Sequence, residues 1–438
     1  MSPPVTGRSN RRTVAVIGAG YVGLPTAATL AHFGHRVVLA EVEQSRLAAL
    51  RSGRMPIVEA GLDELVAGGV SAGNLSFTDS AVDAVTGAEF VFLCVPTPQS
   101  ADGSADLSYV EAVAKEIASK LEPGAIVVNK STVPVGSANM VEQVIGRADI
   151  GVVSNPEFLR EGTAVVDSLN PDRIVVGADD AQAATRVGEL FSSTGAPLIV
   201  TDATTSETIK YASNAFLAIK LSFVNALAGL CEEVGADARD VLLGLGYDKR
   251  IGFEFLRPGP GWGGSCLPKD TRALLHIAGE AGYDFSLLAG AIASNDEQLS
   301  RVVAKVETAC GGSVDGVRLA VLGLTFKANT DDRRDSPSLE IAHRLAGLGA
   351  TVQAFDPTVD AETDVPDLED LQLRADPYAA AAGARALVVL TEWDEFRWLD
   401  FARVLAAMAE PNIVDARNLL DPAAVRRMGF SYVGIGRQ

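Results

Sequence analysis

The stretch Thr13-Val14-Ala15-Val16-Ile17-Gly18-Ala19-Gly20-Tyr21-Val22-Gly23 decides the fold. Its first five residues, mostly β-branched and apolar, read as a buried strand, and they run straight into a G-x-G-x-x-G spacing. That spacing alone is a weak signal. Here it is followed by a helix-forming segment (Leu24 to Phe33), a stop at Gly34 and a second apolar strand, Arg36 to Ala40, which ends at Glu41. In such a βαβ unit the first glycine makes a tight turn, the second lets the backbone approach a pyrophosphate, and the third lets helix and strand pack closely. Gly18, Gly20, Tyr21, Val22 and Gly23 are therefore the expected dinucleotide cradle. A carboxylate at Glu41 would accept hydrogen bonds from a ribose diol and repel a 2′-phosphate, so NAD is expected over NADP.

Strands and helices keep alternating. Phe90 to Val95, Ala125 to Asn129, Ile150 to Val153 and Arg173 to Val176 read as further buried strands. Ligands of open α/β sheets lie beyond the carboxyl ends of the strands, so the turns holding Pro96, Thr97 and Thr132 are expected to face the nicotinamide. The loop Asn155-Pro156-Glu157-Phe158-Leu159-Arg160-Glu161-Gly162 has polar groups placed to hold a sugar. It reads equally as a capped loop with an incidental glutamate.

From Thr204 to about Ala236 the pattern is one long helix, with Thr205 or Ser206 as its cap and Glu207 in its first turn. Lys210 and Asn214, spaced i to i+4, put an ammonium and an amide on one face. So long and apolar a helix also suggests a subunit interface, hence a homodimer. After Gly311-Gly312-Ser313 the opening rhythm returns. Val317 to Leu324 is a strand, Ser338 to Leu348 a helix, and Thr351 to Phe355 a strand leading to Asp356, without G-x-G-x-x-G. Strands Ala386 to Leu390 and Asn412 to Val414 complete a second sheet. The expected fold is α/β: two Rossmann-like doubly wound domains joined by a long central helix and a helical dimerisation region. The expected division is a disordered tail at 1–12, an NAD-binding domain at 13–200, a central helical segment at 201–311 and a second Rossmann-like domain at 312–438.

Composition narrows the function. The chain of 438 residues is 47% apolar and carries a formal charge of −19. That balance argues against nucleic-acid or anionic-membrane partners, which call for a basic face. No uninterrupted apolar run has the length of a membrane span, and MSPPVTGRSNRR at the start lacks an apolar signal core. A cytoplasmic protein is expected. Cys94, Cys231, Cys266 and Cys310 form no C-x-x-C pair and the four histidines have no ligand spacing, so neither a metal site nor a disulfide framework is signalled.

One cysteine stands apart. In Gly261-Trp262-Gly263-Gly264-Ser265-Cys266-Leu267-Pro268-Lys269-Asp270 the glycines allow close backbone approach, and Pro268 suits the first turn of a helix. Cys266 then sits at a helix N-terminus, where the dipole favours thiolate over thiol, with Asp270 one turn on.

These segments together resemble the UDP-glucose/GDP-mannose dehydrogenase family. GAGYVGLPTA, KSTVPVG, NPEFLREGTA, the Lys210/Asn214 helix, GWGGSCLPKD and GLTFKANTDDRRDSPS occur in the family's order, and RIGFEFLRPGPGWGGSCLPKD is most similar to the members acting on UDP-glucose. The resemblance implies oxidation of a sugar C6 alcohol to a carboxylate in two hydride transfers, with two NAD and one water. It implies that Lys210, or a water held by Asp270, takes the hydroxyl proton and that Cys266 captures the aldehyde. Lys210 and Asn214 would then stabilise oxyanions, while Thr132 and Glu157 position water. By the same resemblance Glu161, Lys269 and Arg334 are cofactor-side contacts. Phe158, Leu159, Phe255, Leu256, Gly263, Lys327 and Arg417 contact the substrate, with Arg250 reaching across a dimer. Two departures from the family pattern are Trp262, where Phe or Tyr is commoner and an aromatic wall is expected, and Arg333, in place of a usually apolar residue. A two-electron β-hydroxyacid dehydrogenase shares the first domain and the lysine/asparagine pair but needs no nucleophilic cysteine.

Overall fold

A computed structural model describes residues 11–100, 104–361 and 366–437, so most of the expected tail, residues 1–10, lies outside the described residues. The chain divides into two compact units. Met1–Ser213 with Arg272–Ala281 makes the first, and Asn214–Thr271 with Gly282–Gln438 the second. The segment expected as a separate centre, 201–311, is shared between them.

The first unit is built on eight strands: β1 (Thr13–Ile17), β2 (Arg36–Ala40), β3 (Leu75–Thr78), β4 (Phe90–Leu93), β5 (Ile126–Asn129), β6 (Gly151–Ser154), β7 (Ile174–Gly177) and β8 (Leu198–Thr201). Their spatial order is β3-β2-β1-β4-β5-β6-β7-β8. The strands pair in parallel except at the β6–β7 contact, Ser154 opposite Gly177. Because side chains alternate along a strand, Val14 and Val16 enter the apolar core on one face while Ala15 and Ile17 enter the core on the other. Both faces are buried, which is why the strands read as continuous apolar runs.

The turn after β1 has to be glycine-rich. Gly18 has φ +102°, and a Cβ on Gly23, the first residue of helix α1 (Gly23–His32), would lie 1.8 Å from the Gly18 carbonyl oxygen. The helix is thus seated directly on the turn. Strand order reverses between β1 and β4, so this turn lies at the switch point where open α/β sheets take their ligands.

The second unit repeats the plan with six parallel strands: β9 (Arg318–Leu322), β10 (Thr351–Phe355), β11 (Gln372–Leu373), β12 (Ala386–Val389), β13 (Asn412–Asp415) and β14 (Ser431–Gly434). They lie in the order β11-β10-β9-β12-β13-β14. The acids that end the second strand of each sheet do related work. Glu41 accepts the Ala19 N–H at 3.1 Å and the Glu43 N–H at 2.9 Å, and Asp356 accepts those of Leu324 at 2.7 Å and Thr325 at 3.1 Å. Each carboxylate ties down the turn after the first strand of its own sheet.

Three more helices carry the functional residues: α2 (Ser137–Ile145), α3 (Ala203–Val234) and α4 (Leu267–Glu280). The cap expected at Thr205 or Ser206 lies earlier. Asp202 accepts the Thr205 N–H at 2.7 Å and the Thr205 hydroxyl at 2.7 Å, so the helix opens at Ala203. Over its best 18 residues α3 averages a hydropathy of 1.5, enough by length and composition to cross a membrane. Its polar residues break the run without lowering that average much, and several of them bond within the protein: Ser222 donates to the Ala291 carbonyl and Asn225 accepts the Gly259 N–H. Those bonds are the mark of a core helix.

Candidate active site

Two clusters of buried polar side chains stand out, one in each unit. In the first, the chain leaves β6 through Asn155 and Glu157, and α3 brings Lys210 to meet them. The Lys210 ammonium donates to Glu157 Oε1 at 2.8 Å, with both side chains at most 5% exposed, and Glu157 Oε2 accepts the Leu159 N–H at 2.6 Å. Burial by itself raises the Glu157 carboxyl. The Lys210 ammonium, that N–H bond and the nearby Lys130 outweigh it and hold Glu157 below the ordinary carboxylate range.

Lys130, just past β5, donates to Asn155 Oδ1 at 3.1 Å, and Asn155 is fixed in turn by donating to the Val175 carbonyl at 2.7 Å. Burial pushes the Lys130 ammonium down to about 8. A cavity of about 180 Å³ opens here, lined by Lys130, Asn155, Glu157, Phe158, Leu159 and Arg173, with the Arg173 guanidinium 3.6 Å above the Phe158 ring. The polar groups of the Asn155–Gly162 loop therefore converge on a concavity, as sugar binding needs. The loop's far end is held by Glu59, which accepts the N–H groups of Gly162 and Ala164, both at 2.7 Å.

The second cluster surrounds the cysteine. Cys266, half-buried, immediately precedes α4, and its carbonyl accepts the Asp270 N–H at 2.9 Å, so the first turn of the helix forms directly on it. Asp270 is fully buried. Its Oδ2 accepts from the Asn214 amide at 2.6 Å and its Oδ1 from the Lys269 ammonium at 2.5 Å. A carboxylate so placed orients the Asn214 amide and balances the lysine charge. The loop before the sulfur is packed without slack. A Cβ on Gly263 would stand 2.0 Å from the Asp335 carbonyl oxygen. Trp262 is an anchor rather than a wall: it is buried, its indole N–H donates to Ser222 Oγ at 2.9 Å, and its backbone N–H and carbonyl are both engaged by Asn295.

The remaining expected residues are placed as follows. Tyr21 and Val22 pack against the first core beside Gly18, Gly20 and Gly23. A Cβ at Gly20 would meet nothing within 4 Å, so this part of the turn is open to a ligand while Gly18 and Gly23 are closed by packing. Those features and the carboxylate of Glu41 fit a dinucleotide with an unphosphorylated ribose. Pro96 is exposed; Thr97 donates to the Thr132 carbonyl at 2.9 Å, joining the turns after β4 and β5. Glu161 is half-buried.

In the second unit, Leu256 belongs to the apolar core and Phe255 takes a left-handed φ of +60°. Lys327 lies 5.3 Å from the Phe326 ring. Arg417 donates to the carbonyls of Leu390 and Phe326, both at 2.7 Å, and Arg334 is clamped by Asp332 at 2.7 and 2.8 Å. Arg250 is exposed and pairs with Asp248 at 2.6 Å. Sequence reasoning passed over Lys130, Arg173, Glu59, Ser222 and Asn295. A lysine ending an apolar strand was the one available signal among them, since the others act through partners distant in sequence.

Models of three domains match the chain: the NAD binding domain of the UDP-glucose/GDP-mannose dehydrogenase family over residues 12–194, its central domain over 204–297 and its UDP binding domain over 320–422. UDP-glucose 6-dehydrogenase of Rhizobium meliloti (strain 1021) is 48% identical over 97% of this chain and 99% of its own length. UDP-glucose 6-dehydrogenase TuaD of Bacillus subtilis (strain 168) is 43% identical over 97% of this chain and 93% of its own. The structure of a UDP-glucose dehydrogenase from Pyrobaculum islandicum superposes with a TM-score of 0.90 at 35% identity and covers 100% of both chains.

Proposed function

Because the chain belongs to the UDP-glucose/GDP-mannose dehydrogenase family, we propose that it oxidises the C6 alcohol of UDP-glucose to the carboxylate of UDP-glucuronate. The observation that carries this reading is the Cys266 loop, where the cysteine opens a helix whose buried Asp270 is held by Asn214 and Lys269. A dehydrogenase that stopped at the aldehyde would have no use for it.

NAD, held by the Gly18–Gly23 turn and Glu41, supplies the hydride acceptor for both oxidations. Lys210, or a water held by Asp270, receives the proton of the C6 hydroxyl. Cys266 adds to the aldehyde carbon and retains it as a thiohemiacetal, whose oxidation leaves a thioester. Lys210 and Asn214 donate hydrogen bonds to the oxygen that carries negative charge at each addition. Thr132 and Glu157 direct water to the thioester. The second sheet holds the UDP, with Lys327 and Arg417 on the sugar or diphosphate and Phe158 and Leu159 beside the sugar. Glu161, Lys269 and Arg334 lie on the cofactor side.

A homodimer follows from α3. Phe216, Phe223 and Leu230 recur every seven residues along it and are 66%, 58% and 55% exposed, an apolar stripe suited to a second copy. Arg250 then serves the partner's substrate. With no disulfide among the four cysteines, the cytoplasm is the compartment we assign.

The test is NADH formation with UDP-glucose, UDP-galactose, GDP-mannose and N-acetylated UDP sugars. UDP-glucose is expected to give the highest kcat/KM, with two NADH per acid. A higher value with GDP-mannose would move the chain to the family's other named branch. One NADH per turnover would make it a two-electron enzyme.

A further inference from the structure

Glu207 has no part in the chemistry above, yet it is a charged side chain only 2% exposed. Its position near the start of α3 suggests a favourable charge for that helix's own dipole. The structure gives it a different partner. Oε2 accepts the Gly136 N–H at 2.7 Å and Oε1 accepts the Ala138 N–H at 2.9 Å, across 71 and 69 residues of chain. These donors open α2, whose cap residue Gly136 has φ +95° and no side chain to bond them. Glu207 is therefore the cap of α2, supplied by α3 three residues before Lys210.

The turn between β5 and α2 carries Thr132 and is pinned at both ends. Thr97 holds the Thr132 carbonyl at 2.9 Å, Ser137 Oγ closes the turn onto the Pro134 carbonyl at 2.7 Å, and Glu207 holds Gly136 and Ala138. Two oxygens on two donors fix rotation as well as displacement. A charge is costly in this place: burial, with a smaller contribution from Asp202, pushes the Glu207 carboxyl up to about 7 despite both N–H bonds. An apolar side chain would fill the space without that cost.

We propose that Glu207 is a positioning residue for thioester hydrolysis, registering the Thr132 turn against the helix that bears Lys210. The inference rests on the reading of Thr132 given under Proposed function. In the step concerned, water adds to the acyl carbon, a C–O bond forms and the C–S bond breaks. Sulfur leaves as thiolate, the acid leaves as carboxylate and two protons are released; nothing is oxidised or reduced. The hydride-transfer steps do not require this water, so they depend less on the turn's register. Gln cannot replace Glu207, because its amide offers one acceptor and turns a donor toward the second N–H. Asp keeps the charge but is one methylene shorter and reaches one donor.

The experiment follows Glu207→Gln and Glu207→Asp in the full chain by rapid mixing with UDP-glucose and NAD. Glu207→Gln is expected to show a burst of two NADH per site and then turnover slowed by roughly tenfold to a hundredfold, the range that misplacing a reacting group costs. It should reduce UDP-aldehyde with NADH to within about threefold of wild type. Glu207→Asp should recover part of the acid-forming rate. Amide hydrogen exchange at Gly136 and Ala138 should quicken in Glu207→Gln and stay slow in wild type. Equal losses in aldehyde reduction and acid formation, or unchanged rates with protected amides, overturn the proposal. A wild-type protein that makes no acid overturns the reading of function and the hydrolytic role with it, while the exchange data still report the clamp.

Discussion

The Lys210 ammonium lies 2.8 Å from Glu157 Oε1, and neither side chain is more than 5% exposed. A pair so completely removed from water is held by its mutual attraction, and each partner is costly without the other. Lys210→Met should therefore destabilise the fold by about 3–5 kcal/mol, whereas Lys210→Met with Glu157→Met should cost clearly less. Urea denaturation of the two variants measures the difference. Equal losses would mean that the charges are not coupled.

Lys130 adds a pH dependence. Its folded value of about 8 lies below the ordinary lysine value because the side chain is buried, with Lys210 adding to the effect against Cys94 and Glu157. Between about pH 8 and pH 10 the unfolded chain still holds this proton while the folded chain has released it, so stability rises with pH, by at most about 1.4 kcal/mol per unit. Lys130→Met should flatten that rise, as read from unfolding free energies over this window. A slope unchanged by the substitution would place the lysine's titration elsewhere.

Cys266→Ala distinguishes a nucleophile from a packed thiol. Wild type should yield two NADH per UDP-glucuronate with little free aldehyde. The variant keeps Lys210, Asn214 and Asp270, so it should bind both ligands, form almost no acid, and reduce added UDP-aldehyde back toward the alcohol. A thiol present only for packing would cost at most roughly a few kcal/mol of stability on truncation and leave the stoichiometry intact. Near-normal acid formation by the folded variant ends the covalent mechanism.

Glu41 already accepts two backbone N–H groups, which aims its carboxylate from the end of β2. NAD should be preferred to NADP by well over tenfold in kcat/KM, the effect of repelling a 2′-phosphate. Comparable efficiencies with the two cofactors would remove Glu41 from the ribose.

Much of this protein can be read along the chain, because the determining interactions are local. The β-branched runs, the G-x-G-x-x-G turn and the second strand ending in an acid specify each sheet in a few tens of residues, and the second sheet is recognisable by the same rhythm. Cys266 is legible for a similar reason: glycines, a proline and a helix start lie within one short segment. Lys210 and Asn214 are found from helical spacing alone.

What the tertiary structure decided is which distant groups meet. Glu207 reads along the chain as a first-turn acid of α3 and proves to cap α2, while Asp202 caps α3. Trp262 reads as the wall of a site and is an anchor held by Ser222 and Asn295. Glu157, even-handed as a sequence signal, becomes one half of a buried ion pair only when α3 is brought against the loop after β6. A side chain's spacing tells which face of its own helix or strand it occupies. Its hydrogen-bond partner and its burial depend on elements up to a hundred residues away, and those two quantities decide whether a charge is solvent-facing, structural or chemically active.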